Sequence, residues 1–288
     1  MTNQLANASY DETLRTLDHA KRGSYSDLSY SPAFRASGIF FAIVDEHTTT
    51  RVSFLNYWRE KNNITSVGAL LTFRDSEGQK LLRQYVPIDR YVYQFDVREF
   101  LQSNKTFVGS LELEIFSNED LKFQFPALTV FYETAEGISF VHTNQRVFNN
   151  TEDNTKGSLF NPWQTGFDIC FGPNHGPFVF LMNGPTRIDD ASMQIKVLNA
   201  SGETLERTYQ VGEIPAYGAR RVDFSGIDGV RDFLGNRTGF CKMNLNIKDI
   251  YSRFACGNAA VNGSWLSVTH SYFDTTGHDD YFDATALD

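Results

Sequence analysis

A disulfide framework is the first thing this chain lacks. Its three cysteines, Cys170, Cys241 and Cys256, are too few and too unevenly spaced in 288 residues, and none stands in a Cys-x-x-Cys pair. A reducing cytoplasm is the simpler setting. Cys241 and Cys256 do flank "KMNLNIKDIYSRFA", a hairpin-like stretch that would bring them together in an oxidising compartment. Clustered basic residues are also missing: 26 Lys and Arg stand against 35 Asp and Glu, for a net charge of −9. With no cationic run to neutralise phosphates, nucleic-acid binding is disfavoured. No run approaches the ~18 apolar residues of a membrane helix, and the first residues have no apolar core of signal-peptide length. The expectation is a soluble, cytoplasmic protein without a membrane span. Seven Asn-x-Ser/Thr sequons, from Asn7 to Asn262, pull weakly the other way.

Catalytic signatures are equally sparse. There is no Gly-x-Ser-x-Gly elbow for a serine nucleophile and no His-Glu-x-x-His or His-x-His spacing for a metal. "GPNHGP" at 172–177 is turn-rich but lacks the lysine and following helix of a phosphate cradle. Neither repeat carries the His-x-His that a duplicated cupin would need.

Aromatics, by contrast, are abundant, with 25 Phe and 13 Tyr, and they favour strands and large buried areas. Short alternating runs separated by turn signals, with almost no sustained 3.6-residue periodicity, read as all-β. The runs also recur. "SFLN" (53–56) and "VFLMN" (179–183) each end an apolar strand in asparagine. "VGALLTF" and "MQIKVL" follow, then the turns "RDSEGQ" and "NASGE", where Gly78 and Gly202 supply the positive φ of a tight hairpin. A strand with a proline near its end comes next in both, then a segment closing on Phe-Leu, then "FVGSLELEIF" or "GFCKMNLNI". Each half finishes on a histidine strand, "GISFVHTNQRVF" or "SWLSVTHSYFD".

This order predicts an all-β chain of two tandem antiparallel β-sandwich domains, Ig-like or jelly-roll-like, arising by internal duplication and preceded by a short N-terminal helix. The expected divisions are 1–36 for helix and linker, 37–150 for the first repeat, 151–165 for the linker, 166–276 for the second repeat and 277–288 for an acidic tail. In "SLELEIF", Leu111, Leu113 and Ile115 are expected on a buried face and Glu112 and Glu114 on a wet one.

The histidines are the most suggestive candidates. His47 and His175 stand as far apart in the chain as His142 and His270, so each repeat brings one histidine before its first apolar strand and one on its last. Two neutral imidazoles with a carboxylate could ligate a divalent ion, or one could act as general base. The plainer reading is that His142 and His270 are structural, satisfied by backbone or by Thr143 and Thr269. Arg146 and Asp274 occupy matching positions four residues further on, with opposite charge, and could pair across the repeats. Trp163, among several loop and strand-end aromatics, could stack on a sugar face. Calcium at the acidic cluster of Asp274, Asp279, Asp280 and Asp283 is a weaker candidate, since its spacing is not that of a calcium loop.

The residues taken forward as ligand-binding candidates are His142, Arg146, Trp163, His175, His270 and Asp274. The leading reading is a non-catalytic protein that binds a glycan or a protein partner near the crevice between its repeats, with no cofactor. The alternatives are a histidine- or metal-dependent enzyme on a small or saccharide substrate, and a structural subunit.

Overall fold

The computed structural model describes residues 34–101, 106–121, 125–142, 145–147, 163–245, 247, 250–251 and 253–274. The expected N-terminal helix, most of the 151–165 linker and the acidic tail lie outside the described residues.

Strands dominate the described residues. The first half supplies β1 (Phe34–Val44), β2 (Thr48–Leu55), β3 (Val67–Asp75), β4 (Lys80–Pro87), β5 (Val92–Asp96), β6 (Phe107–Ser117), β7 (Ala127–Thr134) and β8 (Gly137–Val141). A two-residue strand, β9 (Arg146–Val147), follows. The second half supplies β10 (Trp163–Cys170), β11 (His175–Met182), β12 (Ile188–Leu198), β13 (Thr204–Ile214), β14 (Ala219–Asp223), β15 (Thr238–Leu245), β16 (Ile250–Tyr251), β17 (Ala255–Ala260), β18 (Leu266–His270) and β19 (Tyr272–Asp274). The first strands of the two halves begin at Phe34 and Trp163, a few residues ahead of the boundaries expected at 37 and 166.

Among the described residues all pairings are antiparallel, and no sheet closes on itself. In the first half the strand orders are β1-β6-β3-β4 and β5-β2-β7-β8. In the second half they are β13-β12-β15-β10-β19 and β14-β11-β17-β18, and β9 pairs with β16 apart from these. The β10-β15-β12-β13 portion runs in the same relative order as β1-β6-β3-β4, and β14-β11-β17-β18 in the same order as β5-β2-β7-β8.

Local chemistry explains the repeated landmarks. Gly78 and Gly202 hold φ of 78° and 80°, the left-handed geometry their hairpin turns require. Pro87 ends β4 and Pro215 follows β13, both edge strands, where a missing N–H costs no ladder bond. The two strand-ending asparagines are tethers. The Asn56 N–H donates to the Tyr91 carbonyl at 2.7 Å, and the Asn183 N–H to the Gly218 carbonyl at 2.9 Å. Asn183 also donates from its side chain to the carbonyls of Thr186, Ile214 and Pro215, which fastens the loop between β13 and β14. After Asn56 a short helix forms over Tyr57–Asn62, its first turn capped by the Asn56 side chain accepting from Arg59 N.

One expectation fails instructively. Glu112 and Glu114 do not face water; both are buried, as is nearly all of β3 and β6. The β1-β6-β3 part of this sheet is covered on both faces, while β4 at its edge stays partly exposed. On one face Ala36, Leu71, Phe73, Leu111, Leu113 and Ile115 join the apolar core. On the other, Glu112 meets Arg35 at 3.1 Å and Arg74 at 2.8 Å, while Glu114 accepts from Arg35 at 2.9 Å. The second half supplies the cover. Phe180 of β11 stacks on Phe41 of β1 with ring centroids 3.9 Å apart and planes 3° from parallel. The Tyr217 ring lies 4.2 Å beneath the Arg74 guanidinium. The β3–β4 turn docks as well: the Ser76 carbonyl accepts from Ala219 N and from Arg220, and Glu77 pairs with Arg220 at 3.0 Å. Burying each phenylalanine of the stack contributes about 1.5–3 kcal/mol.

The suggested Cys241–Cys256 hairpin also does not form. The two residues sit on β15 and β17, in different sheets, and both are free and buried. Burial pushes both thiols well above their ordinary range, which keeps them protonated and poorly nucleophilic.

Two stability predictions follow from these contacts. A Cβ at Gly202 would meet open space, so Gly202→Ala is expected to cost only the left-handed penalty of about 1–2 kcal/mol. A Cβ at Gly78 would collide with the Ala216 carbonyl, so Gly78→Ala should cost clearly more in the same denaturant titration. Glu112→Ala removes the carboxylate that pairs with Arg74 and is shared by Arg35, which keeps Glu114, and should destabilise by about 3–5 kcal/mol, read from the shift in urea midpoint.

Candidate functional site

Two places bring the candidate residues together. The first is the meeting of two edge strands, β8 and β18. Their contact is fastened by Ser139, whose hydroxyl accepts from Val268 N at 2.7 Å. Just beyond, His142 and His270 stand edge to face, ring centroids 5.2 Å apart at 88°.

His142 is exposed and His270 is buried. The Nδ1 of His270 lies 2.9 Å from the Ser271 carbonyl, which can only accept, so that nitrogen carries the proton of the neutral ring. Its partner is therefore this backbone oxygen and not Thr269. Tyr272 packs on the same ring at 4.7 Å, and Arg253 donates to the Ser271 carbonyl at 3.2 Å. Burial is the main cause holding the His270 imidazole below its ordinary pKa; the nearby charges of Arg253 and His142 add to it, and the Ser271 bond opposes it. The arrangement gives a neutral, backbone-anchored imidazole against an exposed one. Among the described residues, no three His, Cys, Asp or Glu side chains gather in a group able to hold a metal ion.

The other candidates disperse. His175 opens β11 and packs against Trp265 at 5.8 Å. His47 stands in the β1–β2 turn beside Glu46, at 3.3 Å. Arg146 is fully buried and joins the charge cluster under the second half, donating to the Arg35 carbonyl at 3.5 Å. Burial and the neighbouring Arg35 push its guanidinium down to about 9, which still leaves it charged at neutral pH. Asp274 lies on β19, its backbone opposite Trp163 of β10. Of the other aromatics near strand ends and loops, Trp58 and Tyr93 are core residues, while Tyr91 and Tyr272 are exposed.

The second place is a groove of about 560 Å³ on the outer face of the β13-β12-β15-β10-β19 sheet. Strand alternation builds it. Met193, Ile195 and Val197 of β12 and Cys241, Met243 and Leu245 of β15 point into the core, so Gln194, Lys196 and Lys242 point outward. Register then aligns them: Lys196 stands opposite both Glu206 on β13 and Lys242 on β15, and Gln194 opposite Thr208 and Asn244. Lys196 and Glu206 pair at 2.9 Å. Trp163, half-buried on β10, flanks the row.

Of this lining, sequence reasoning found Trp163 alone. The alternation in "MQIKVL" marks Gln194 and Lys196 as outward, but which strands lie beside β12, and in what register, comes from pairing between distant segments. The lysines Lys196 and Lys242 become neighbours only through that pairing.

No protein-family model matches the chain, and no curated protein does either. Among solved structures the chain is similar to a β-glucuronidase of Parabacteroides merdae, at 11% identity and a TM-score of 0.18, over 83% of this chain and 28% of that one. At that score the likeness fixes neither fold nor function. No helix among the described residues is long and apolar enough to cross a membrane.

Because the folded His270 pKa lies below the ordinary value of 6.5, the unfolded chain takes up this proton first as pH falls. The stability that the neutral ring contributes is present above pH 6.5 and is lost as pH drops through the folded value. NMR titration should find His270 midpoints below 6.5 that rise in His142→Ala, and His270→Gln should flatten the loss of stability over that range.

Proposed function

We propose that this chain is a non-catalytic saccharide-binding protein, built from two copies of a two-sheet β-sandwich, whose ligand seats on the outer face of the β13-β12-β15-β10-β19 sheet. The duplication is supported by the matching strand orders and by the paired landmarks Asn56 and Asn183, Gly78 and Gly202. One observation carries the ligand assignment: an indole, Trp163, flanks a solvent-facing row of amide, hydroxyl and ammonium groups in a groove of about 560 Å³. An indole face covers the C–H face of a pyranose, and side chains with both donors and acceptors satisfy its hydroxyls.

The site moves from the crevice expected between the halves to this sheet face, because the Phe41–Phe180 stack and the Ser76–Arg220 contacts fill the junction. A binding role suits the lining better than hydrolysis. Glycoside hydrolysis takes a pair of carboxylates, and among the described residues the one carboxylate lining the groove, Glu206, is engaged by Lys196.

The test is a broad glycan array followed by titration calorimetry on the best hits. Trp163→Ala is expected to weaken binding about tenfold or more, the equivalent of a lost aromatic platform of 1.4 kcal/mol or above, with the melting temperature held. An array with no hit, or hits indifferent to Trp163→Ala, overturns the assignment.

A further inference from the structure

Resting on the reading of this groove as a saccharide site, we infer that its ligand is a straight, neutral oligosaccharide of the β-1,4-linked ribbon type, laid across the strands with one sugar residue over each of β10, β15, β12 and β13.

The register supplies the row. Gln164 stands opposite Met243 in the β10–β15 pair, so Trp163, the residue before it, comes level with Asn244. Asn244 is opposite Gln194 on β12, and Gln194 is opposite Thr208 on β13. Residues directly opposed on neighbouring strands share a face, and Gln164 and Met243 are buried, so this row turns outward. An indole, two amides and a hydroxyl thus follow one another across four adjacent strands. Trp163, Gln194 and Thr208 line the groove.

Spacing then selects the shape of the ligand. Neighbouring strands stand about 4.8 Å apart, so the row spans about 14 Å from Trp163 to Thr208. A pyranose chain joined through equatorial bonds at C1 and C4 is a nearly straight ribbon that advances about 5 Å per residue, one ring for each strand spacing. An α-1,4-linked chain curls and falls out of step with the strands. A single sugar on the indole would leave Gln194 and Thr208, about 10 and 14 Å away, unused.

The next row on the same face selects for neutrality. It runs Lys242, Lys196, Glu206, and its charges are met within the protein: Lys196 bridges Glu206 at 2.9 Å, and Lys242 is engaged as well. What the Trp163 row offers a ligand is an apolar ring face followed by uncharged donors and acceptors, the match for a pyranose and its hydroxyls.

The experiment titrates cello-, manno- and chito-oligosaccharides of one to six residues into the full chain, into Trp163→Ala and into Thr208→Val, with melting temperature as the fold control. Malto-oligosaccharides of the same lengths serve as the curled counterpart.

In at least one straight series affinity is expected to rise with each added residue, about tenfold or more from monomer to tetramer, and to level off beyond four. The malto series should show no such rise. Trp163→Ala should weaken every length, whereas Thr208→Val should weaken the tetramer about fivefold, the loss of one neutral hydrogen bond, and leave the dimer unchanged.

Affinity that is flat with length, or malto chains that gain as much, would overturn the ribbon geometry while Trp163-dependent binding leaves the saccharide reading standing. Tetramer binding indifferent to Thr208→Val would overturn the crossing of the strands. Array hits confined to branched or charged glycans, with no straight series bound, would overturn the ligand class alone. If no oligomer binds and the glycan array is also blank, the saccharide reading falls and takes this inference with it.

Discussion

A carboxylate taken out of water must be met by cations at hydrogen-bond distance, and Glu112 is met twice, by Arg35 from β1 and by Arg74 from β3. Those two strands flank β6 in the sheet, so the charge network lies across three strands at once. This network lets the β1-β6-β3 part of the sheet be buried on both faces. A strand reading "SLELEIF" in an ordinary half-wet sheet would hold its glutamates in solvent. Here the glutamates, neutralised on their own sheet, form the seat on which the second half rests, with Tyr217 over Arg74 and Phe180 against Phe41. A buried ion pair is a weak source of net stability but a strong source of specificity, because a misplaced cover would strand charge.

The seating has a consequence on the opposite side of the molecule. Since β11 and β14 face the first half, the other sheet of the second half keeps its outer face in water. That face carries the groove. The polar network at the junction and the groove are thus linked through a single stack of sheets: one is covered so that the other is not.

Much of the first level of this architecture is legible in the chain. Alternation locates strands, glycine at a positive-φ turn locates hairpins, and the asparagine closing "SFLN" and "VFLMN" marks the same loop tether twice. These are local signals, decided within a few residues. What the chain conceals is set by pairing at long range. Glu112 and Glu114 read as solvent-facing because periodicity reports two faces and says nothing about what lies on the second. His142 and His270 could be matched as equivalent but not placed in contact, since that depends on how the last strands of the two halves meet. The lysines of the groove were invisible for the same reason: Lys196 and Lys242 are far apart in sequence, and only the register of β12 against β15 makes them neighbours.

The contact between β8 and β18 also governs how the molecule meets its surroundings. Each is the last strand of its sheet, and a bare sheet edge presents unpaired N–H and C=O groups that recruit other chains. Here the two edges shield one another, with the Ser139 hydroxyl taking the Val268 N–H. Proteins that cover an edge by dimerising depend on concentration and come apart on dilution. Two edges tethered on one chain see each other at a fixed effective concentration, so this seal is as firm in a dilute compartment as in a crowded one.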